Sequence, residues 1–310
     1  MRAYSLTIKP VHTVRKAIIP VAGFGTRLYP ATRCLKKDFF PIPCPDGMVR
    51  PVILILLEEL VRSGIEEICL VLGSDEERKL YRDFFEHPLS SEHFNKLNAE
   101  SQEYENRILD IGKHLHYVIQ KEKRGFGHAV YQAAGFTKGE PVLLMLGDTL
   151  SRSYTNKPCA LQLIEAYERY NKLMLGLYPV PLSLVSHFGI MSGVWEDKDE
   201  RILHVNSFVE KPKASYSEEF LGVKNKKGEK EYCSVFGQYI LTPEVFMQLR
   251  DDIAVADAAG NTTKEIELTA ALEAVRSRSG MIGLRLKGCR YDMGNPTALV
   301  ETVVEYSKKL

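Results

Sequence analysis

Charge of one sign is what this 310-residue chain most plainly lacks: 41 Lys and Arg stand against 40 Asp and Glu, a net charge of +1. That balance excludes a nucleic-acid binder working through global positive charge. With 45% hydrophobic residues, it also excludes a disordered chain. Long apolar runs are missing too. The best two, residues 51–57 and 141–146, fall far short of the roughly 20 residues a membrane helix needs. Residues 1–14 hold no continuous apolar core of the signal-peptide kind. Six cysteines are scattered without a CxxC pair, so neither a disulfide scaffold nor a zinc site is supported. Reduced thiols in a cytoplasmic protein, with no nucleic-acid or membrane partner, are the economical reading. No Gly-x-Ser-x-Gly elbow is present, no cysteine sits in a nucleophile context, and there is no internal repeat. Any preference for anions must come from a local site.

What is present alternates. Strands are expected at 16–21, 67–72, 114–120 and 141–146, with helices at 51–62, 75–85 and 127–136 between them. Such crossover spacing, with a Gly-rich turn after the first strand, predicts an α/β fold with a doubly wound, mostly parallel sheet. The second half is less regular. Strands are expected at 174–180, 188–191, 202–210 and 233–241, and helices at 243–249, 264–275 and 295–308. The polar stretches 86–104 and 211–231 read as a partly helical insert and as a mobile loop or hairpin.

The strongest local signal is Val21-Ala22-Gly23-Phe24-Gly25-Thr26-Arg27, directly after a strand. Two glycines let the backbone turn sharply, so that consecutive N–H groups can face an anion. It is no dinucleotide fingerprint, because Leu28 occupies the third glycine's place, and no Gly-Lys-Ser/Thr follows to make a P-loop. A phosphate-binding turn and a plain tight turn both remain open. Arg27, Arg33, Lys36 and Lys37 crowd beyond it, either as a solvated face or to neutralise phosphates. Asp148 ends the apolar strand 141–146, and Asp292 precedes the last helix. With phosphate oxygens and waters, two carboxylates would suit Mg²⁺; otherwise Asp148 is a turn residue and Asp292 a cap. Gln120 lies at a strand end before Gly125-Phe126-Gly127-His128, where an amide able to donate and accept could read a base edge such as uracil's. Glu210 and Lys211 could take sugar hydroxyls and a sugar phosphate, or form a surface ion pair.

Read together, these segments resemble the bacterial UTP–glucose-1-phosphate uridylyltransferases, within the sugar-1-phosphate nucleotidyltransferases. The resemblance runs from Lys16 to Lys308. Its anchors are residues 16–27 with Pro30-Ala31-Thr32, Gln120 with 125–129, Leu146-Gly147-Asp148, Phe188-Gly189, 209–213, Gly237, 265–269 and 292–295. It implies a Rossmann-like nucleotidyltransferase fold with sugar-binding β insertions, a 1–15 extension and a single 16–310 domain. The implied reaction makes UDP-glucose and pyrophosphate from UTP and glucose 1-phosphate. In that reaction Ala22, Gly23, Gly25, Gln120 and Gly125 would bind the nucleotide, and Arg27 and Lys37 would act on its phosphates. Gly189, Glu210 and Lys211 would hold the sugar phosphate, and Asp148 and Asp292 would hold Mg²⁺. A homo-oligomer, dimer or tetramer, is implied as well. Leu54, Tyr232 and Lys264 depart from the family pattern, as do Lys36 and the longer stretch 43–50. These leave as alternatives a transferase for another nucleotide such as dTTP, or a non-catalytic sugar-nucleotide sensor.

Overall fold

The computed structural model describes residues 12–196 and 198–308. Most of the expected 1–15 extension therefore lies outside the described residues. Its end is anchored: Val14 is fully buried, and His12 Nδ1 lies 2.8 Å from Glu168 Oε1.

Lys16–Pro20 sits near the middle of the main sheet, with Glu67–Leu72 parallel on one side and Val142–Met145 parallel on the other. Leu115–Ile119 adds a further parallel strand outside Glu67–Leu72. Beyond Val142–Met145 the order continues through Lys230–Leu241, Met174–Val180, Ile282–Arg285, Ile202–Glu210 and Gly189–Trp195. Only Lys230–Leu241 and Ile202–Glu210 run against the rest of this path. The sheet is thus mixed and mostly parallel, as expected. Alternation along a strand sends neighbours to opposite faces. Ile19 packs with the helix Val52–Arg62 in one core, and Ile18 with Val130 and Leu272 in the other. Both faces are therefore covered, which is why these strands read as continuous apolar runs.

Local signals set the helix ends. The Ser74 hydroxyl accepts the Glu77 N–H at 3.2 Å, and three acids occupy the first turn of Asp75–Phe85. Asn295 caps the Ala298 N–H at 3.0 Å with Pro296 opening the last helix, Pro296–Tyr306.

Several elements differ from expectation. The helix Cys159–Tyr170 is additional to the expected elements, although Ala160, Leu163, Ile164 and Tyr167 have helical spacing and are buried. The helix from Pro243 continues to Ala258. Of the loop or hairpin expected at 211–231, the structure has the hairpin. Leu221 and Val223 are buried, and Val223–Lys224 pairs with the start of Lys230–Leu241. The expected helix at 264 starts only at Leu268, because the Glu267 backbone is extended and the Ile266 backbone is bonded to Arg124 and Gly127. Finally, Thr149–Ser153 and Gly288–Asp292 pair as a separate antiparallel ribbon, setting Asp292 opposite Thr149.

Candidate active site

The Val21 N–H still donates to Val71 O at 2.9 Å, after which the chain leaves the sheet. Among the described residues, the N–H groups of Ala22, Gly23, Phe24 and Gly25 donate to no partner. The carbonyls before them are held. The Lys36 ammonium bonds Val21 O, and Lys123 Nζ bonds Ala22 O at 3.0 Å. A trans peptide points C=O and N–H in opposite directions, so the two lysines orient the N–H groups of Ala22 and Gly23. Lys36 in turn lies 3.2 Å from Asp38 Oδ2 and 3.3 Å from Glu77 Oε2. Burial pushes the Asp38 carboxyl above its ordinary range, with Lys36 and the Tyr81 hydroxyl bond opposing. Gly25 closes the turn at φ +63°, where a Cβ would stand 2.9 Å from Thr32 Cγ2.

This turn forms one wall of a cavity of about 520 Å³. Gln120, Lys123 and Gly125 form a second wall, Lys37 and Asp148 lie at its floor, and Glu265 and Phe24 also border it. Gln120 is only 3% exposed, and its Nε2 is engaged by Gly125 O at 3.2 Å and His128 Nδ1 at 3.1 Å. His128 stands between two side-chain amides, its Nε2 lying 3.2 Å from Gln132 Nε2. Gln120 Oε1 accepts no hydrogen bond among the described residues. His128 must be neutral to accept at Nδ1. Burial pulls its pKa below the ordinary histidine value, and nearby Arg124 adds to that. Gly125 adopts φ +93°, and a Cβ there would come 2.5 Å from Glu265 Cγ and 2.9 Å from Ile266 O. The closeness follows from backbone pairing of Ile266 with Arg124 and Gly127, both at 2.8 Å.

At the floor, Lys37 Nζ lies 2.9 Å from Asp148 Oδ2. Asp292 is held beside it, since the Met293 N–H donates to Asp148 O at 3.0 Å. Asp292 Oδ1 accepts the Gly294 N–H at 2.7 Å. A Cβ on Gly294 would be 3.0 Å from that oxygen and 3.3 Å from Arg27 Nη2, which places the guanidinium in the same corner. Arg27 and Asp292 do not line the cavity itself but adjoin its floor. No group of three or more His, Cys, Asp or Glu suited to a metal exists among the described residues. Two carboxylates nevertheless fit Mg²⁺, which binds through one or two carboxylates together with waters and substrate phosphates.

Gly189, Glu210 and Lys211 gather at the edge of the sheet, outside the cavity lining. Gly189 pairs with Glu210 in register, and a Cβ on it would sit 2.6 Å from the Phe208 ring. Glu210 Oε2 accepts from the Thr269 hydroxyl at 2.9 Å, so the segment 265–269 links this edge to the cavity. Arg290, unnoticed in the sequence, stacks 4.0 Å from the Phe188 ring centroid and bonds Ser234 Oγ at 3.1 Å.

Glu59, on the helix Val52–Arg62, is an anchor. It accepts from the Ser151 hydroxyl, from the Ala160 N–H at 3.1 Å and from Gln238 Nε2 at 2.9 Å. It borders a second cavity of about 510 Å³. Arginine–carboxylate contacts there satisfy one another, Arg50 clasping Asp46 at 2.9 and 2.6 Å.

Residues 16–309 match the family model described as nucleotidyl transferase. The chain is 34% identical over 298 residues to a UTP–glucose-1-phosphate uridylyltransferase of Streptococcus pneumoniae serotype 4, covering 96% of this chain and 91% of that protein. A Staphylococcus haemolyticus protein of the same name is 34% identical over 301 residues, covering 96% and 93%. Among solved structures, a UDP-glucose pyrophosphorylase complexed with UDP-glucose superposes with a TM-score of 0.74 at 26% identity, covering 94% of this chain and 98% of that one.

Proposed function

The chain belongs to the nucleotidyl transferase family, and we infer that it makes UDP-glucose and pyrophosphate from UTP and α-D-glucose 1-phosphate. The observation that carries this reading is the union, in one cavity, of an unpaired N–H turn, a buried amide acceptor and the Lys37–Asp148 pair. The turn suits phosphates, Gln120 suits the N3–H of uracil, and Lys37 lines the same cavity.

The sugar phosphate carries its attacking oxygen already ionised, since its second pKa is about 6. It attacks the α-phosphorus and pyrophosphate leaves, with no general base required. What the protein supplies is in-line positioning and neutralisation of crowded negative charge. The turn 22–25 holds the nucleotide, Lys37 and Arg27 face the phosphates, and Gly189, Glu210 and Lys211 hold the sugar phosphate. Asp148 and Asp292 would hold Mg²⁺, which when bound supplies further charge neutralisation on the phosphates.

The same reading treats 16–310 as one catalytic domain after the 1–15 extension, in a cytoplasmic homo-oligomer. Val300 and Val304, exposed one turn apart on the last helix, support a self-associating face, which light scattering on the purified protein would test. The reaction itself is tested by pyrophosphate release with UTP, dTTP, CTP, ATP and GTP against several sugar 1-phosphates. UTP with glucose 1-phosphate is the expected best pair. A purine nucleotide preference, or no turnover with any pair, would overturn the reading.

A further inference from the structure

Asp292 ends the strand Gly288–Asp292, and Arg290, two residues before it, shares its face of the ribbon. The guanidinium reaches from there to the edge of the main sheet where Gly189, Glu210 and Lys211 gather. It lies 4.0 Å from the Phe188 ring centroid and 5.2 Å from that of Tyr178. One Nη bonds the Val235 carbonyl, and the other bonds Ser234 Oγ at 3.1 Å. Those acceptors sit where the ladder between Lys230–Leu241 and Met174–Val180 slips, just past Val235. Among the described residues no carboxylate lies within ion-pair distance of Arg290; Asp292, Tyr239 and Tyr178 are the titratable groups that face it. Burial pulls the guanidinium pKa below its ordinary value, so this charge is held by stacking and by neutral acceptors.

Phe188 is engaged on two sides. Its ring carries Arg290, and its carbonyl accepts the Lys211 N–H at 3.1 Å. Lys211 adopts φ +44°, left-handed backbone that a lysine rarely takes. Such a conformation persists only where the surroundings fix it, and the bond to Phe188 is one that does so here. Contacts therefore run unbroken from the strand of Asp292 through Arg290 and Phe188 to Lys211. An arginine suits the middle of that chain. Its flat fork can stack on a ring and bond two acceptors at once, which the compact ammonium of a lysine cannot.

We propose that Arg290 is a positioning residue: it fixes Phe188, and through the Phe188 carbonyl Lys211, at a set distance from Asp292. The inference rests on the uridylyltransferase reading, in which Lys211 holds the sugar phosphate and Asp292 lies where the phosphates react. In-line attack demands that these two ends be held in one frame. They stand on separate sheets, and Arg290 spans the gap between them.

The test measures KM for glucose 1-phosphate and for UTP separately in the native protein, Arg290→Met and Arg290→Lys. With the anchor lost, KM for glucose 1-phosphate rises about 10- to 100-fold, as for a misplacement of about an ångström, and KM for UTP stays within about threefold. Arg290→Lys keeps the charge without the flat stack or the fork, so it follows Arg290→Met; a native KM in the lysine variant would overturn the proposal. In a Lys211→Met background, Arg290→Met raises KM for glucose 1-phosphate by no more than about threefold, because the cation it positions is gone. An equal rise with and without Lys211, or the same rise for both substrates, marks a merely structural role and overturns the proposal. Should Arg290→Met fail to fold, Phe188→Leu removes the ring and keeps the backbone bond to Lys211. It is expected to raise KM for glucose 1-phosphate about tenfold and to spare UTP, and an unchanged KM refutes the assignment. A native protein with no turnover of UTP and glucose 1-phosphate would overturn the reaction and this inference together. Native turnover with an unselective change in Arg290→Met would overturn the inference alone.

Discussion

Replacing Gly125 by Ala tests whether backbone geometry positions the base. At φ +93° and ψ 177° the residue occupies a region essentially reserved for glycine, and forcing another residue there costs about 1–3 kcal/mol. The new Cβ would also lie 2.9 Å from Ile266 O and 3.1 Å from Ile266 N. Those are backbone atoms, fixed by the 2.8 Å bonds to Arg124 and from Gly127. The paired segments must part by roughly half an ångström, weakening two hydrogen bonds worth about 0.5–1.5 kcal/mol each. The total is then about 2–6 kcal/mol. Residues 120–125 form a surface connection, so the chain relaxes there and loses the geometry around Gln120 before it loses the fold. Each 1.4 kcal/mol is tenfold in affinity, so the lower end of that range predicts a UTP KM raised about 30-fold or more. The KM for glucose 1-phosphate should change little. Steady-state pyrophosphate release with each substrate varied in turn, beside a thermal melt, measures both. A folded Gly125→Ala protein with an unaltered UTP KM would refute the argument that this loop places the base.

Lys37→Met should lower kcat by about 10²- to 10³-fold with little change in KM, as for a lost contact to developing charge; a pure KM effect would assign Lys37 to ground-state binding. Asp148→Asn and Asp292→Asn should each remove most turnover, and EDTA should silence the native protein; near-normal rates with either variant at saturating Mg²⁺ would count against the metal pair. His128 gives a pH prediction. Burial and Arg124 lower its folded pKa, so the unfolded chain binds the extra proton first as pH falls through about 6.5. Its contribution to stability is therefore present above that pH and lost below it. UTP affinity follows at lower pH, once protonated Nδ1 no longer accepts from Gln120. Titrating KM and melting temperature from pH 8 to 5 in native and His128→Gln protein checks this, and identical profiles would exclude His128 as the cause.

Apolar strands and glycine turns made the first half of the fold legible, because both signals are local. The strand Glu67–Leu72 and the helix Asp75–Phe85 fall where their patterns place them. The helix Cys159–Tyr170 escaped because its apolar stripe follows a polar stretch ending in Pro158 that reads as loop. At 264–268 the composition favours helix, but pairing with the Gly125 loop overrides it, a contact across more than a hundred residues that no window can register.

The site shows the same division. Gly23, Gly25, Asp148 and Gly125 were legible because a turn, a strand end or a glycine marks each one, and Lys37 because it sits in a charge run where the resemblance places a lysine. What their neighbours do depended on folding. Lys36 reads as a member of a charge run and Lys123 carries no signal in the sequence, yet each is bonded to a carbonyl of the first turn. Gln120 was legible as an amide at a strand end, but its burial and its contacts with Gly125 O and His128 Nδ1 come from the loop folding back on it. A lysine that holds a carbonyl aims the N–H of the same peptide, so a charge with the look of solvated surface sets the geometry of the glycine turn.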